Sequence, residues 1–232
     1  MEGEMKKVKI RATTILLIII VICSNAEVKA NTNGMKVLSV QENVRLLSSV
    51  KTLDTSKYIT IEAAANQVRT KVRKHSSKVN VYFKTTISSP TKVYEKFKQE
   101  LTKETENSNE GDYMYWDIKQ EIPNYIRMPI AGKRRVYYYY EFHILYDYYT
   151  TLSQRKKVDK KVKSVIKSFG FTNKTSNYQK VKAIYEYICK NVQYAYNSDN
   201  DLVFTSYSAL FYGKAVCQGY AQLMYKMLKE VD

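Results

Sequence analysis

The sequence predicts an α+β fold, in which an N-terminal region mixing helices and strands is followed by helices alone. Three patterns carry that expectation. Residues 135–149 form a long aromatic and β-branched run, the composition of a strand. Residues 60–74 place Ile61, Ala64, Ala65, Val68 and Val72 at helical spacing. Thr151 with Gln154, and Ser176 with Gln179, form two capping boxes, each opening a helically spaced apolar stretch.

Taken in order, a helix over 60–74 is followed by a strand in which Val79, Val81 and Phe83 alternate with other residues. Ser89 and Pro90 then start a helix, proline being tolerated in the first turn. Val93, Tyr94, Phe97 and Leu101 make its apolar face. Residues 113–118 read as a further strand. In the run 135–149, Val136, Tyr138, Tyr140, Phe142, Ile144, Tyr146 and Tyr148 share one face, with tyrosine also on the other. One face is therefore expected to pack on helices and the other to stay partly wet, with the tyrosines as ordinary sheet packing or as a stacking surface for ligands. Val158, Val162, Val165, Ile166 and Phe169 define the next helix, which Gly170 ends. The helix after Ser176 carries the stripe Val181, Ile184, Tyr185, Ile188, Cys189 and Val192. Residues 194–205 read as a polar loop, and Ser206 as the cap of a short helix over 207–212. A last helix, about 217–230, is expected to turn Cys217, Ala221, Met224 and Leu228 inward, with Tyr220 and Met227 beside them. The domain boundaries that follow are a leader at 1–30, a linker at 31–56, an N-terminal α+β domain at 57–150, a connecting helix at 151–176 and a C-terminal domain at 177–232.

The leader is read from its layout. A basic start, Lys6, Lys7, Lys9 and Arg11, precedes an uncharged apolar stretch. Small residues then offer cleavage after Ala30 or after Ala26. The stretch is shorter than the roughly 20 residues that span a bilayer, so the membrane is engaged only through this segment. The chain is expected to be secreted or held at the cell surface. Of the formal charge of +16, the leader's five basic and three acidic residues remove two. For an exported chain this excess points to anionic wall polymers as partners, and export excludes nucleic acid. Abundant Lys, Tyr, Asn and Ile with only seven Gly and three Pro also fit an AT-rich bacterial genome, which accounts for much of the lysine.

Leader removal leaves two cysteines, Cys189 and Cys217. No disulfide is expected, because the helical pattern puts Cys189 on a buried side and Cys217 has another use. Two histidines and two cysteines without ligand spacing predict no metal, and there is no phosphate-binding glycine loop, so no cofactor is expected.

Cys217 is the candidate catalytic residue. It follows a glycine break and begins an apolar helical pattern. A thiol there meets unpaired N–H groups and the positive end of the helix dipole, which favour the thiolate. Its own backbone N–H is a candidate oxyanion donor, and Lys214 adds positive charge nearby. The competing reading is a small buried hydrophobe at a helix start. Of the two histidines, His75 reads as solvated at the end of a basic helix. His143 shares a strand face with Glu141 and Asp147, either as an oriented base or as an exposed histidine among charges.

From residue 178 to the end the chain resembles the bacterial transglutaminase-like family, within the papain-like cysteine enzymes. The carrying segments are 180–194 (with Ile184, Tyr185, Ile188, Cys189, Val192 and Tyr194), then Tyr207-Ser208-Ala209-Leu210, then Gly213-Lys214-Ala215-Val216-Cys217-Gln218-Gly219-Tyr220-Ala221. The resemblance implies a Cys-His-Asp triad with Cys217 as nucleophile, and a histidine and aspartate on strands downstream of it. It also implies a protein or peptidoglycan-peptide substrate. The sequence given ends at Asp232, so the C-terminal domain is expected to be the helical N-terminal half of such a domain, without its catalytic β-sheet. That would leave Met224, Met227 and Leu228 as an exposed apolar patch. The complete form is expected to perform cysteine-dependent acyl transfer or amide hydrolysis, and the chain as written to be inactive. The competing class is a non-catalytic wall- or surface-binding module.

Overall fold

A computed structural model describes residues 56–131, 134–196 and 198–231. The expected leader and all but Ser56 of the expected linker lie outside these residues. The fold is α+β, and the described chain divides into two units, 56–156 and 157–231.

In the N-terminal unit, helix α1 (Ile61–Arg73) starts at Thr60, whose side chain accepts from the Ala63 N–H. It buries Ile61, Ala64, Ala65, Val68 and Val72. Strand β1 (Lys78–Thr85) buries Val79, Val81 and Phe83 by simple alternation. Helix α2 (Pro90–Leu101) is capped by Ser89 and buries Val93, Phe97 and Leu101. Strand β3 (Val136–Tyr148) is the centre of a three-stranded antiparallel sheet, flanked by β1 and by β2 (Ile118–Ala131). Its buried face holds Tyr140, Phe142, Ile144 and Tyr146, one of the two faces that the alternation separates. Phe83 is the hub of the core: its ring lies 4.8 Å from Phe142, 5.4 Å from Tyr140 and 6.1 Å from Phe97. On the opposite face Tyr139 packs edge-on against Tyr58, 4.9 Å away.

One expectation fails here. Residues 113–118 are not a strand: Gly111–Trp116 forms a short helix, α3, and β2 begins only at Ile118. Burial recurs at Glu110, Tyr113, Met114 and Asp117, a helical period in which two of the positions are acidic. Hydrophobicity alone misses that period, because the acids are satisfied by particular partners. Glu110 accepts from Arg73 at 2.7 Å and from Thr105 at 2.8 Å. Strand β2 has no counterpart among the expected elements, and it contains Pro123 and Pro129. Both are accommodated because β2 is an edge, paired with β3 alone, where a missing N–H need not break a second ladder.

The C-terminal unit is helical. Helix α4 (Leu152–Ser168) opens with the Thr151–Gln154 box, in which each residue's side chain accepts from the other's backbone N–H. Beyond it Gly170 adopts φ +64°, the left-handed conformation glycine permits. Helix α5 (Asn177–Asn191) carries the complete Ser176–Gln179 box. A two-residue strand β4 (Gln193–Tyr194), a 3-10 turn (Asp201–Phe204), helix α6 (Ser206–Phe211), strand β5 (Lys214–Ala215) and helix α7 (Cys217–Val231) complete the unit. Strands β4 and β5 pair in parallel. The core joins Val158 and Val162 of α4, Ile184 and Ile188 of α5, and Leu223 and Met227 of α7.

Three sequence expectations are corrected in this unit. Cys189 is exposed, not buried, because the inward side of α5 runs through Ile184 and Ile188 with Val181 and Tyr187 partly covered, which leaves Tyr185 and Cys189 outside. Thr205, not Ser206, caps α6 by accepting from the Ser208 N–H. Met224 and Met227 form no exposed patch: they are 6% and 0% exposed, and Leu228 is partly buried against the same helical core.

Candidate functional site

Cys217 is the first residue of α7 and its side chain is exposed. The expectation that it turns inward with Ala221 and Met224 is therefore wrong, and so is the alternative of a small buried hydrophobe. The helix packs through Gly219 and Ala221–Met227, one turn further along, and its first residue projects past that contact. At a helix start the leading N–H groups have no partner within the helix, so the thiol stands beside backbone donors and the positive end of the dipole.

Several contacts hold that helix start in place. Gly213 sits at φ +63°, with its missing Cβ facing the Asn191 carbonyl at 3.1 Å. The β4–β5 ladder is closed by the Gln193 N–H donating to the Gly213 carbonyl (2.8 Å) and the Ala195 N–H to the Ala215 carbonyl (2.9 Å). The Ser208 hydroxyl donates to the Lys214 carbonyl at 2.7 Å. The Val216 N–H donates to the Val203 carbonyl at 2.9 Å, and Val216 accepts the first helical bond, from Tyr220. Gly219 has no room for a side chain: a Cβ would lie 2.8 Å from both the Ala215 Cβ and the Val203 carbonyl, and 3.0 Å from the Thr205 carbonyl. The Tyr220 hydroxyl donates to the Val192 carbonyl at 2.7 Å, and buried Gln222 accepts from the Ser206 N–H at 3.0 Å. Every residue from Gly213 to Tyr220 that makes one of these contacts positions Cys217 without itself offering a reactive group. Lys214 is exposed on β5.

An aromatic wall stands on the same strand pair. Tyr194 lies 4.8 Å from Tyr196 and 6.4 Å from Tyr220, ring centre to ring centre, and Tyr196 is 71% exposed. Residues 194–196 were expected to be polar loop. The pairing of Tyr194 with Ala215, next to the helix start, is what brings its ring here.

The histidines belong to the N-terminal unit, and the structure reverses one reading and settles the other. His75 is not solvated. Its side chain is 7% exposed, its ring stacks on Tyr148 at 4.4 Å, and Nε2 lies 3.1 Å from Asp117 Oδ2. The backbone at His75 takes φ +56°, which folds the end of α1 back onto the sheet. The Thr150 hydroxyl contacts Asp117 at 2.8 Å, so the hydroxyl faces the carboxylate and not the imidazole. This is a buried polar joint, with no nucleophile–base pair in it. His143 is a half-buried strand histidine whose Nδ1 contacts Asn80 Oδ1 at 3.0 Å. Glu141 does not orient it, because that carboxylate accepts from the Tyr58 hydroxyl at 2.7 Å and from Lys57 at 3.2 Å. Burial pushes the Glu141 carboxyl up, but these two hydrogen bonds outweigh it and hold the group below its ordinary range.

Lys226 is a buried charge that the hydrophobic pattern of the last helix does not announce. It is 1% exposed on α7, with Nζ 2.6 Å from Asp159 Oδ1 of α4. A lysine at an inward position of an otherwise apolar stripe, with one aspartate on a neighbouring lysine-rich helix, was the available signal. Among the described residues no cluster of His, Cys, Asp and Glu has the form of a metal site.

Residues 167–232 match the family model of the transglutaminase-like superfamily. No curated protein and no solved structure matches the chain.

Proposed function

With residues 167–232 transglutaminase-like, we propose that the C-terminal unit carries the nucleophile of a cysteine-dependent acyl transfer or amide hydrolysis, and that this nucleophile is Cys217. The observation that carries the reading is the exposed thiol at the first residue of α7, within the matched segment. In the reaction the sulfur attacks the carbonyl carbon of a carboxamide or peptide, and the carbon–nitrogen bond breaks as the amine leaves with a proton. The resulting thioester is then opened by an amine or by water, which regenerates the thiol. A base must take the thiol proton and return it to the leaving amine. Both histidines belong to the N-terminal unit, where His75 sits against Asp117 and His143 against Asn80, so the proposal assigns no base. Residues 1–30 have the layout of an export leader. This supports a secreted or surface location and, with it, a surface protein or peptidoglycan peptide as substrate.

Alkylation by iodoacetamide at neutral pH, followed residue by residue by peptide mapping, tests the role of Cys217 in the full chain. A dipole contribution of roughly 0.3–1 kcal/mol corresponds to labelling about two to five times faster than glutathione under the same conditions. The Cys189→Ser variant should leave that rate unchanged. A rate equal to or below that of glutathione would overturn the assignment.

A further inference from the structure

Helix α4 carries a strongly basic surface. Its sequence holds seven basic residues against one acid, Asp159, and that acid is bound to buried Lys226. The apolar stripe of Val158, Val162 and Val165 is buried in the C-terminal core. Within that unit, the outward side of α4 displays Lys157, Lys160, Lys161, Lys163 and Lys167, all exposed. None of the five makes an ion pair with another described residue. Lys157 and Lys161, Lys160 and Lys163, and Lys163 and Lys167 are like-charge neighbours at helical spacing, each pair repelling. At about 1.5 Å of rise per residue, Lys160, Lys163 and Lys167 form a single file about 10 Å long.

We propose that this face of α4 binds a linear phosphate-bearing polyanion, such as a phosphodiester polymer. A narrow row of ammonium groups matches a chain of regularly spaced negative charges, and binding relieves the repulsion within the row by releasing the polymer's counterions. Lipid is the poorer fit, because a helix that lies in a bilayer surface needs a free apolar face and that of α4 is already packed. Nucleic acid is also poorer, because only Ser164 and lysines occupy the row, with no ring on which a base could stack. The surface is independent of Cys217 and would function whether or not that thiol is reactive.

The test uses the full chain and inorganic polyphosphate, titrated from about 50 to 200 mM salt. The variant Lys160→Gln/Lys163→Gln/Lys167→Gln removes three contacts. It should weaken binding about tenfold at the low end and flatten the plot of log affinity against log salt by about two units. Removing repulsion from an exposed helix face leaves the fold intact, which circular dichroism checks. A control with the same charge change elsewhere, Lys84→Gln/Lys92→Gln/Lys103→Gln, should bind nearly as the parent does. Equal losses in the two variants would show binding by diffuse net charge and overturn the proposal. So would stripe-dependent binding to phosphatidylglycerol vesicles, or to oligothymidylate, that exceeds binding to polyphosphate.

Discussion

The two units close their cores with different materials. The N-terminal unit is held by rings: Phe83, Phe97, Tyr140 and Phe142 stack face-on and edge-on between two helices and a sheet. The C-terminal unit uses aliphatic chains and close backbone approach, with Ala209, Ala215 and Ala221 buried and Gly219 pressed against two carbonyls. Their buried polar groups differ in the same way. The N-terminal unit encloses His75 with Asp117 and Thr150, whereas the C-terminal unit encloses a lysine. Large rings tolerate polar rims, so tyrosines serve on both faces of β3. In the helical unit the two cysteines, Cys189 and Cys217, lie on the outside.

Truncating the aromatic hub should have the largest effect. Phe83→Ala is expected to cost about 4 kcal/mol in urea unfolding, against about 3 kcal/mol for Leu223→Ala in the helical unit. A larger loss at Leu223 would break the distinction between the two cores. Next comes the buried lysine: Asp159→Ala removes the carboxylate 2.6 Å from its ammonium and should cost about 3 kcal/mol, while Lys226→Met should stay within about 1 kcal/mol of the parent. Equal losses for the two variants would mean that the pair is itself stabilising, not merely compensated. The smallest effect lies at the wet face of β3. Glu141→Gln should cost under about 1 kcal/mol at pH 7. Because the folded carboxyl titrates below its ordinary value, the stabilisation it provides is complete above about pH 4.5 and is lost as pH falls through the lower folded value, so the gap between parent and variant should close in acid. A gap that persists in acid would assign the effect to packing.

Much of the fold was legible where one signal dominates. Capping residues marked the starts of α2, α4 and α5, apolar spacing marked α1, and strict alternation separated the two faces of β3. What escaped was decided by partners far away in sequence. Helix α3 hides its period behind Glu110 and Asp117, which are buried only because Arg73, Thr105, His75 and Thr150 meet them. Strand β2 is permitted by its place at the sheet edge, which no local pattern announces. The position of Cys217 at a helix start was readable from the glycine break. Its outward direction was not, because it depends on how far Gly219 lets α7 sink against the 3-10 turn.

The β4–β5 clasp has a consequence for how this region tolerates change. Gln193 and Tyr194 grip Lys214 and Ala215, so the two ends of the intervening chain are pinned together whatever lies between them. Residues 203–205 are committed to packing against α7, but Ser198–Asn200 are not part of that contact. Extra residues inserted there would raise the closure cost only with the logarithm of loop length. Ahead of Asn200, whose side chain caps the 3-10 turn, the segment can therefore lengthen while the thiol stays where it is.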